Sequence, residues 1–276
     1  MRVLEIFKKW LNPQKHEEAP VIITVHGYGR RRMHELDNLA LWGKEDGLDI
    51  IQFDLFDIFD EKDCDWMKWV NRAKAKVDYY IMQNRRIYMV GFSMGGVIAS
   101  YLASVCPVER LVLIAPAFNY LHVENITSMI TKGASALLLS DKKEKNDIEL
   151  PKSFYAAFSN TVKELKHCIS EVHCPVLILH GDEDEVIPLR SSTQAYDKIP
   201  HDQKRLIILH EGHHRLLMDE KVSWEVYQLI RLFFNGILLP KEPKLHSPDY
   251  LDELKKQLYP DDEEPDDAVS EAKAGD

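Results

Sequence analysis

Ile87–Val105 reads IYMVGFSMGGVIASYLASV. Its first six residues are apolar with no polar alternation, the pattern of a strand covered on both faces. Ser93–Val105 is small and apolar, and Pro107 follows its end, so a helix succeeds the strand. Between the two lies Gly91-Phe92-Ser93-Met94-Gly95. A serine on so sharp a turn projects its hydroxyl clear of the sheet, and flanking glycines are needed because a Cβ there would clash. The helix behind it points N–H groups toward any oxyanion that forms. The plainer alternative is a strand-to-helix turn with a capping serine.

Outward from this turn, five further apolar runs rich in β-branched residues stand at Val21–Val25, Asp49–Phe53, Leu111–Ala115, Val176–Leu179 and Leu206–Leu209. Helical patterns separate them, as in Asp65–Gln83, where Asp63 or Asp65 can cap the start. Strand and helix in alternation predict an α/β fold with a doubly wound, mostly parallel sheet of about six strands. The connection between Phe118 and Cys174 is too long for a simple crossover. It holds two helical patterns, Val123–Leu139 and Ser153–Ile169. Residues 119–173 therefore read as a small helical cap inserted over one edge of a single domain spanning 1–240. Glu220–Leu239 reads as a closing helix, and 241–276 as an acidic tail that cannot bury enough surface to fold.

A serine nucleophile needs a base, and the base needs a carboxylate to orient it. His180-Gly181-Asp182-Glu183-Asp184-Glu185-Val186-Ile187-Pro188 follows the fifth strand, and His210-Glu211-Gly212-His213-His214 follows the sixth. Both fall at the carboxyl edge of the sheet, where open α/β folds bind ligands. The second stretch also fits H-E-x-x-H, but zinc chemistry requires two histidines on one helix face, whereas here His210 closes a strand and Gly212 interrupts the middle. His26 and His180 stand at strand ends and read as histidines hydrogen-bonded within loops.

With these pieces in chain order, the sequence resembles the α/β-hydrolase-fold serine hydrolases, and among them the small capped carboxylesterases and monoacylglycerol-lipase-like enzymes. The resemblance runs from about Val21 to about Leu239. It implies Ser93 as nucleophile, Asp184 rather than Asp182 as the triad acid, and His213 as the base, with His214 and His210 as weaker candidates. His26-Gly27-Tyr28-Gly29 matches the family's H-G-x-G segment, implying an oxyanion hole from the backbone N–H groups of Tyr28 and Met94. The family usually has eight strands, so a trimmed sheet is implied. The activity implied is hydrolysis of small-molecule carboxylic esters with small or medium acyl chains, without cofactor or metal. Thioesterase, amidase, peptidase and acyltransferase activities stay open on the same triad. So does a non-catalytic interaction protein that kept the fold.

Charge and composition exclude other classes. The formal net charge is -10, of which -7 lies in Lys241–Asp276, with 12 acidic and 5 basic residues. A near-neutral body with an acidic tail lacks the basic face that nucleic acid requires. No apolar run approaches the roughly 18–20 residues of a membrane span. Met1–Leu11 lacks a secretory h-region and has helical apolar spacing, so it reads as an amphipathic helix docked on the body or on a partner chain, including another copy; membrane-surface attachment is the alternative. Four cysteines without paired spacing point to free thiols and a cytoplasmic location. Arg30-Arg31-Arg32 reads as a solvated loop, or as a contact to the cap or to an acidic substrate group.

Overall fold

Val21–Val25 forms β1 with all five residues buried, as an unalternating apolar strand must in the middle of a sheet. The structure is a computed structural model and describes residues 19–29, 34–119 and 152–239. Five more strands follow: β2 (Asp49–Ile51), β3 (Ile87–Phe92), β4 (Val108–Ile114), β5 (Val176–Gly181) and β6 (Lys204–Leu209). They make one sheet in the order β2-β1-β3-β4-β5-β6, with every neighbouring pair parallel. The sheet expected from sequence is present, although β2 stops two residues early and β4 starts three residues sooner.

Parallel strands need crossovers, and the helices supply them on both faces. Ile22, Tyr88, Val90, Val112, Leu177 and Leu179 face one layer, built on α1 (His34–Glu45) and α6 (Ser223–Phe234). The alternate residues Val21, Ile23, Val25, Met89, Leu111 and Ile178 face the other. That second layer holds α2 (Trp66–Met82), α3 (Met94–Val105), α4 (Lys152–Leu165) and α5 (Arg190–Lys198). Asp65 caps α2 by accepting from the Met67 N–H at 2.9 Å. The closing helix is shorter than its sequence pattern. It ends at Phe234, ahead of Gly236 at φ 78°, and Arg110 donates to the carbonyls of Phe233 and Phe234 that the helix end exposes.

The second helix of the expected cap appears as α4, and its packing differs from that of a separate lid. Phe154, Ala157, Phe158, Val162 and Leu165 are buried in the same apolar cluster as β1 and α3. Phe154 lies 5.6 Å from the ring of Phe56 and 5.8 Å from that of Trp69. Each such fully buried side chain contributes on the order of 1.5–3 kcal/mol, so α4 belongs to the core layer. The helix expected at Met1–Leu11, the first cap pattern at Val123–Leu139, Arg30–Arg32 and the acidic tail lie outside the described residues. Among the described residues, no helix is long and apolar enough to cross a membrane.

Candidate active site

Ser93 sits between β3 and α3 at φ 53° and ψ −118°, a conformation that costs a residue with a Cβ on the order of 1–3 kcal/mol. Three backbone bonds hold it there. Its N–H donates to Ile114 at 2.9 Å, and its carbonyl accepts from Gly96 at 3.0 Å and Ala117 at 3.1 Å. Its side chain makes no capping bond to α3, which removes the plainer reading of a capping serine. The glycines have a steric cause. A Cβ on Gly95 would fall 2.1 Å from the Val25 carbonyl oxygen, and one on Gly91 would fall 2.6 Å from that of Gly95. Gly95 therefore lets the turn press against β1, and Gly91 lets α3 pack onto the end of β3.

The loop after β1 lies directly on this turn, since a Cβ on Gly27 would come within 3.2 Å of the Ser93 Cβ. His26 and Glu35 anchor the loop. The Leu55 N–H donates to His26 Nε2 at 2.9 Å, so Nδ1 carries the ring proton and donates to the Gly27 carbonyl at 2.8 Å. The Gly27 N–H donates in turn to Glu35 at 3.0 Å. Glu35 escaped the sequence reading, whose only available signal was an acidic residue in the first turn of α1. Tyr28 is half-buried with its ring stacked 5.1 Å from Phe158, and Met94 begins α3 fully buried.

Asp184 is held from several directions. Oδ1 accepts from the N–H groups of Val186 and Ile187, each at 2.8 Å, and Oδ2 accepts from His214 Nδ1 at 2.8 Å. Its side chain is 1% exposed. Burial alone would raise its pKa, but the charge and hydrogen bond of His214, the Ile187 N–H and nearby His180 outweigh burial and hold it below the usual carboxylate range. Asp182 points elsewhere, accepting from His210 Nδ1 at 2.8 Å and from the Glu211 N–H at 2.7 Å.

The histidine brought to Asp184 stands one residue after the one expected as base. His213 is not brought to Asp184: its Nδ1 pairs with Asp219 at 3.0 Å, its Nε2 lies 3.7 Å from Glu183, and its side chain is 53% exposed. His214 occupies the buried place, its ring 4.9 Å from that of Phe92, the residue before Ser93. The cause is the turn leaving β6. Glu211 adopts φ 58°, and Gly212 follows in close contact with Gly181. The Glu183 N–H donates to the Gly212 carbonyl at 3.1 Å, which fixes the two loops together. Past that point His213 faces solvent and His214 faces inward. No helix carries the H-E-x-x-H stretch, and its outer histidines serve two different aspartates.

Comparison with known proteins bears on the fold. A family described as serine aminopeptidase, S33, matches residues 142–221, a stretch that includes Asp184, His213 and His214 but not Ser93. The mitochondrial palmitoyl-protein thioesterase ABHD10 of Mus musculus is 28% identical over 72% of this chain and 70% of its own length. The thermostable monoacylglycerol lipase of Bacillus sp. (strain H-257) is 24% identical over 55% of this chain and 64% of its own. Among solved structures, a soluble variant of monoglyceride lipase from Saccharomyces cerevisiae superposes with a TM-score of 0.62 at 15% identity, covering 82% of this chain and 89% of that one. The fold of the chain is that of the α/β-hydrolases.

Proposed function

We propose that this α/β-hydrolase-fold chain is a serine hydrolase of carboxylic esters and thioesters, with Ser93 as nucleophile, His214 as base and Asp184 as the acid that orients it. The observation that carries the reading is the buried 2.8 Å bond from His214 to Asp184 beside a strained serine turn with no capping duty. Ser93 Oγ attacks the substrate carbonyl while His214 Nε2 takes its proton. The N–H groups of Tyr28 and Met94 receive the oxyanion. The tetrahedral adduct collapses, its C–O or C–S bond breaks, and His214 returns the proton to the departing alcohol or thiol. Water, deprotonated by the same histidine, then attacks the acyl-enzyme and releases the acid and free Ser93. No cofactor enters this sequence.

Thioesters belong in the substrate class because of the similarity to a thioesterase over most of both chains. The acyl chain in this reading is small or medium. Free thiols at Cys64, Cys106, Cys168 and Cys174 support a reducing compartment such as the cytoplasm; burial pushes the Cys106 thiol up to about 11 and that of Cys174 up to about 12, which keeps both unreactive. A fluorophosphonate probe should label the wild type and spare Ser93→Ala. Labelling of that variant, or of neither protein, would reject the mechanism. Turnover on p-nitrophenyl esters, acyl thioesters and anilides of rising chain length reads the substrate class, and faster turnover of palmitoyl than butyryl substrates would reject the chain-length reading.

A further inference from the structure

His180, fully buried at the end of β5, belongs to none of the steps above. Its Nε2 lies 3.0 Å from the Ile187 carbonyl oxygen and, at a longer range, 3.4 Å from Oδ2 of Asp184. Its Nδ1 lies 2.7 Å from the hydroxyl of the equally buried Ser192 on α5. A carbonyl and an ionised carboxylate can only accept, so Nε2 must carry a proton. Burial lowers the pKa of the ring below the ordinary imidazole value despite the opposing pull of Asp184 and Ile187, and His214 pushes it further down. Asp184 and His214 are the titratable groups that act on it. His180 is therefore neutral, its Nδ1 is bare, and the Ser192 hydroxyl donates to it.

Ile187 ties this arrangement to the acid. Its N–H donates to Asp184 Oδ1, and its carbonyl accepts from His180. We propose that His180 is a positioning residue for Asp184: Ser192 locks it as the Nε2–H tautomer, which braces the Ile187 peptide and faces a donor dipole toward Oδ2. The inference rests on reading Asp184 as the triad acid. The brace fixes the carboxylate rotamer, and the dipole tempers the negative charge that Asp184 presents to His214. Removing it leaves a looser carboxylate whose charge is less compensated, so that Asp184 orients the His214 ring less well.

Two measurements test this separately. In protein carrying ¹⁵N-labelled histidine at about pH 7.5, the His180 ring should show one protonated and one bare nitrogen, with Nε2 protonated. An Nδ1–H tautomer or a doubly protonated ring at that pH overturns the proposal, whatever the enzyme does. Kinetically, His180→Leu should lower kcat on p-nitrophenyl butyrate by about 10-fold with KM within about twofold. His180→Gln, which keeps an N–H donor, should recover most of that kcat. In an Asp184→Asn background, His180→Leu should cost less than about twofold more, because both changes act through one group. Equal losses in the two backgrounds, or no recovery of kcat by His180→Gln, would leave His180 a merely structural residue and overturn the proposal. If His180→Leu does not fold, Ser192→Ala decides, with an expected loss of about threefold and an overturning result of none. Wild-type labelling by fluorophosphonate, with a slow Asp184→Asn, confirms the underlying triad independently; an unimpaired Asp184→Asn would sink that reading while the tautomer result stands.

Discussion

His214 Nδ1 donates to Asp184 Oδ2 at 2.8 Å inside the protein, while the histidine one residue before it serves a different acid at the surface. Two adjacent histidines thus have separate work, and substitution can tell them apart. His214→Ala should lower kcat on an activated ester by roughly 10³-fold or more, whereas His213→Ala should stay within about threefold. Steady-state kinetics on both proteins checks this, and an inactive His213→Ala beside an active His214→Ala would reverse the assignment.

The acids separate in the same way. Asp184→Asn should cost about 10²- to 10⁴-fold in kcat through loss of tautomer control, with native circular dichroism retained. Asp182→Asn should cost little, because that carboxylate serves only exposed His210 and the Glu211 backbone. Equal impairment of the two variants would contradict the bonding of Asp184.

His213 leaves a signature in stability. The bond to Asp219 raises its pKa, with only a smaller opposing effect of burial. A base raised on folding adds stability that is complete below its unfolded value of about 6.5 and fades as pH rises through its folded value. Asp219 is lowered: burial opposes this, but the His213 and Lys221 N–H groups and the His213 ring prevail. Its contribution is present above about 3.9 and lost as pH falls through the folded value. The urea midpoint of the wild type should therefore drift down from pH 6 to 8 relative to His213→Ala, by a small amount because the imidazole is half exposed. A constant difference across that range would show that the pair does not titrate.

Steric crowding supplies a fourth expectation. Gly95→Ala places a Cβ 2.1 Å from backbone oxygen and should destabilise the whole fold by several kcal/mol, read as a large drop in Tm. Gly27→Ala meets the edge of the Phe92 ring at 2.8 Å and the Ser93 Cβ at 3.2 Å, side-chain atoms rather than backbone. It should cut kcat/KM by at least 10-fold for a smaller change in Tm, since it displaces the loop proposed to receive the oxyanion. Equal loss of activity and stability in both variants would argue against a local effect.

Much of this architecture is legible in Ile87–Val105 and in the apolar runs around it, because a buried parallel strand leaves a run that no alternating sheet produces. The strained serine follows from its glycines. What escapes is set by single backbone torsions. Glu211 is no glycine, so nothing in its type announces φ 58°, and that one angle decides which of two neighbouring histidines turns inward. Glu35 escapes for another reason: a carboxylate in a first helical turn is ordinary, and only the tertiary approach of Gly27 gives it a task. The role of Phe154 and Phe158 also depended on packing, since aromatic residues at helical spacing suit a lid or a core equally well.

The contact between Gly181 and Gly212 has a mechanical consequence. A Cβ on Gly181 would fall 1.9 Å from the Gly212 carbonyl oxygen, so the two loops meet backbone to backbone with no side chain between them. The loop bearing Asp184 and the loop bearing His214 are thereby riveted into one piece. Neither can swing away while the other stays, and thermal loosening has no cheap intermediate in which the acid parts from the histidine. Heating should thus remove the Asp184–His214 pairing in the same step as the tertiary structure, so that inactivation and melting follow one curve.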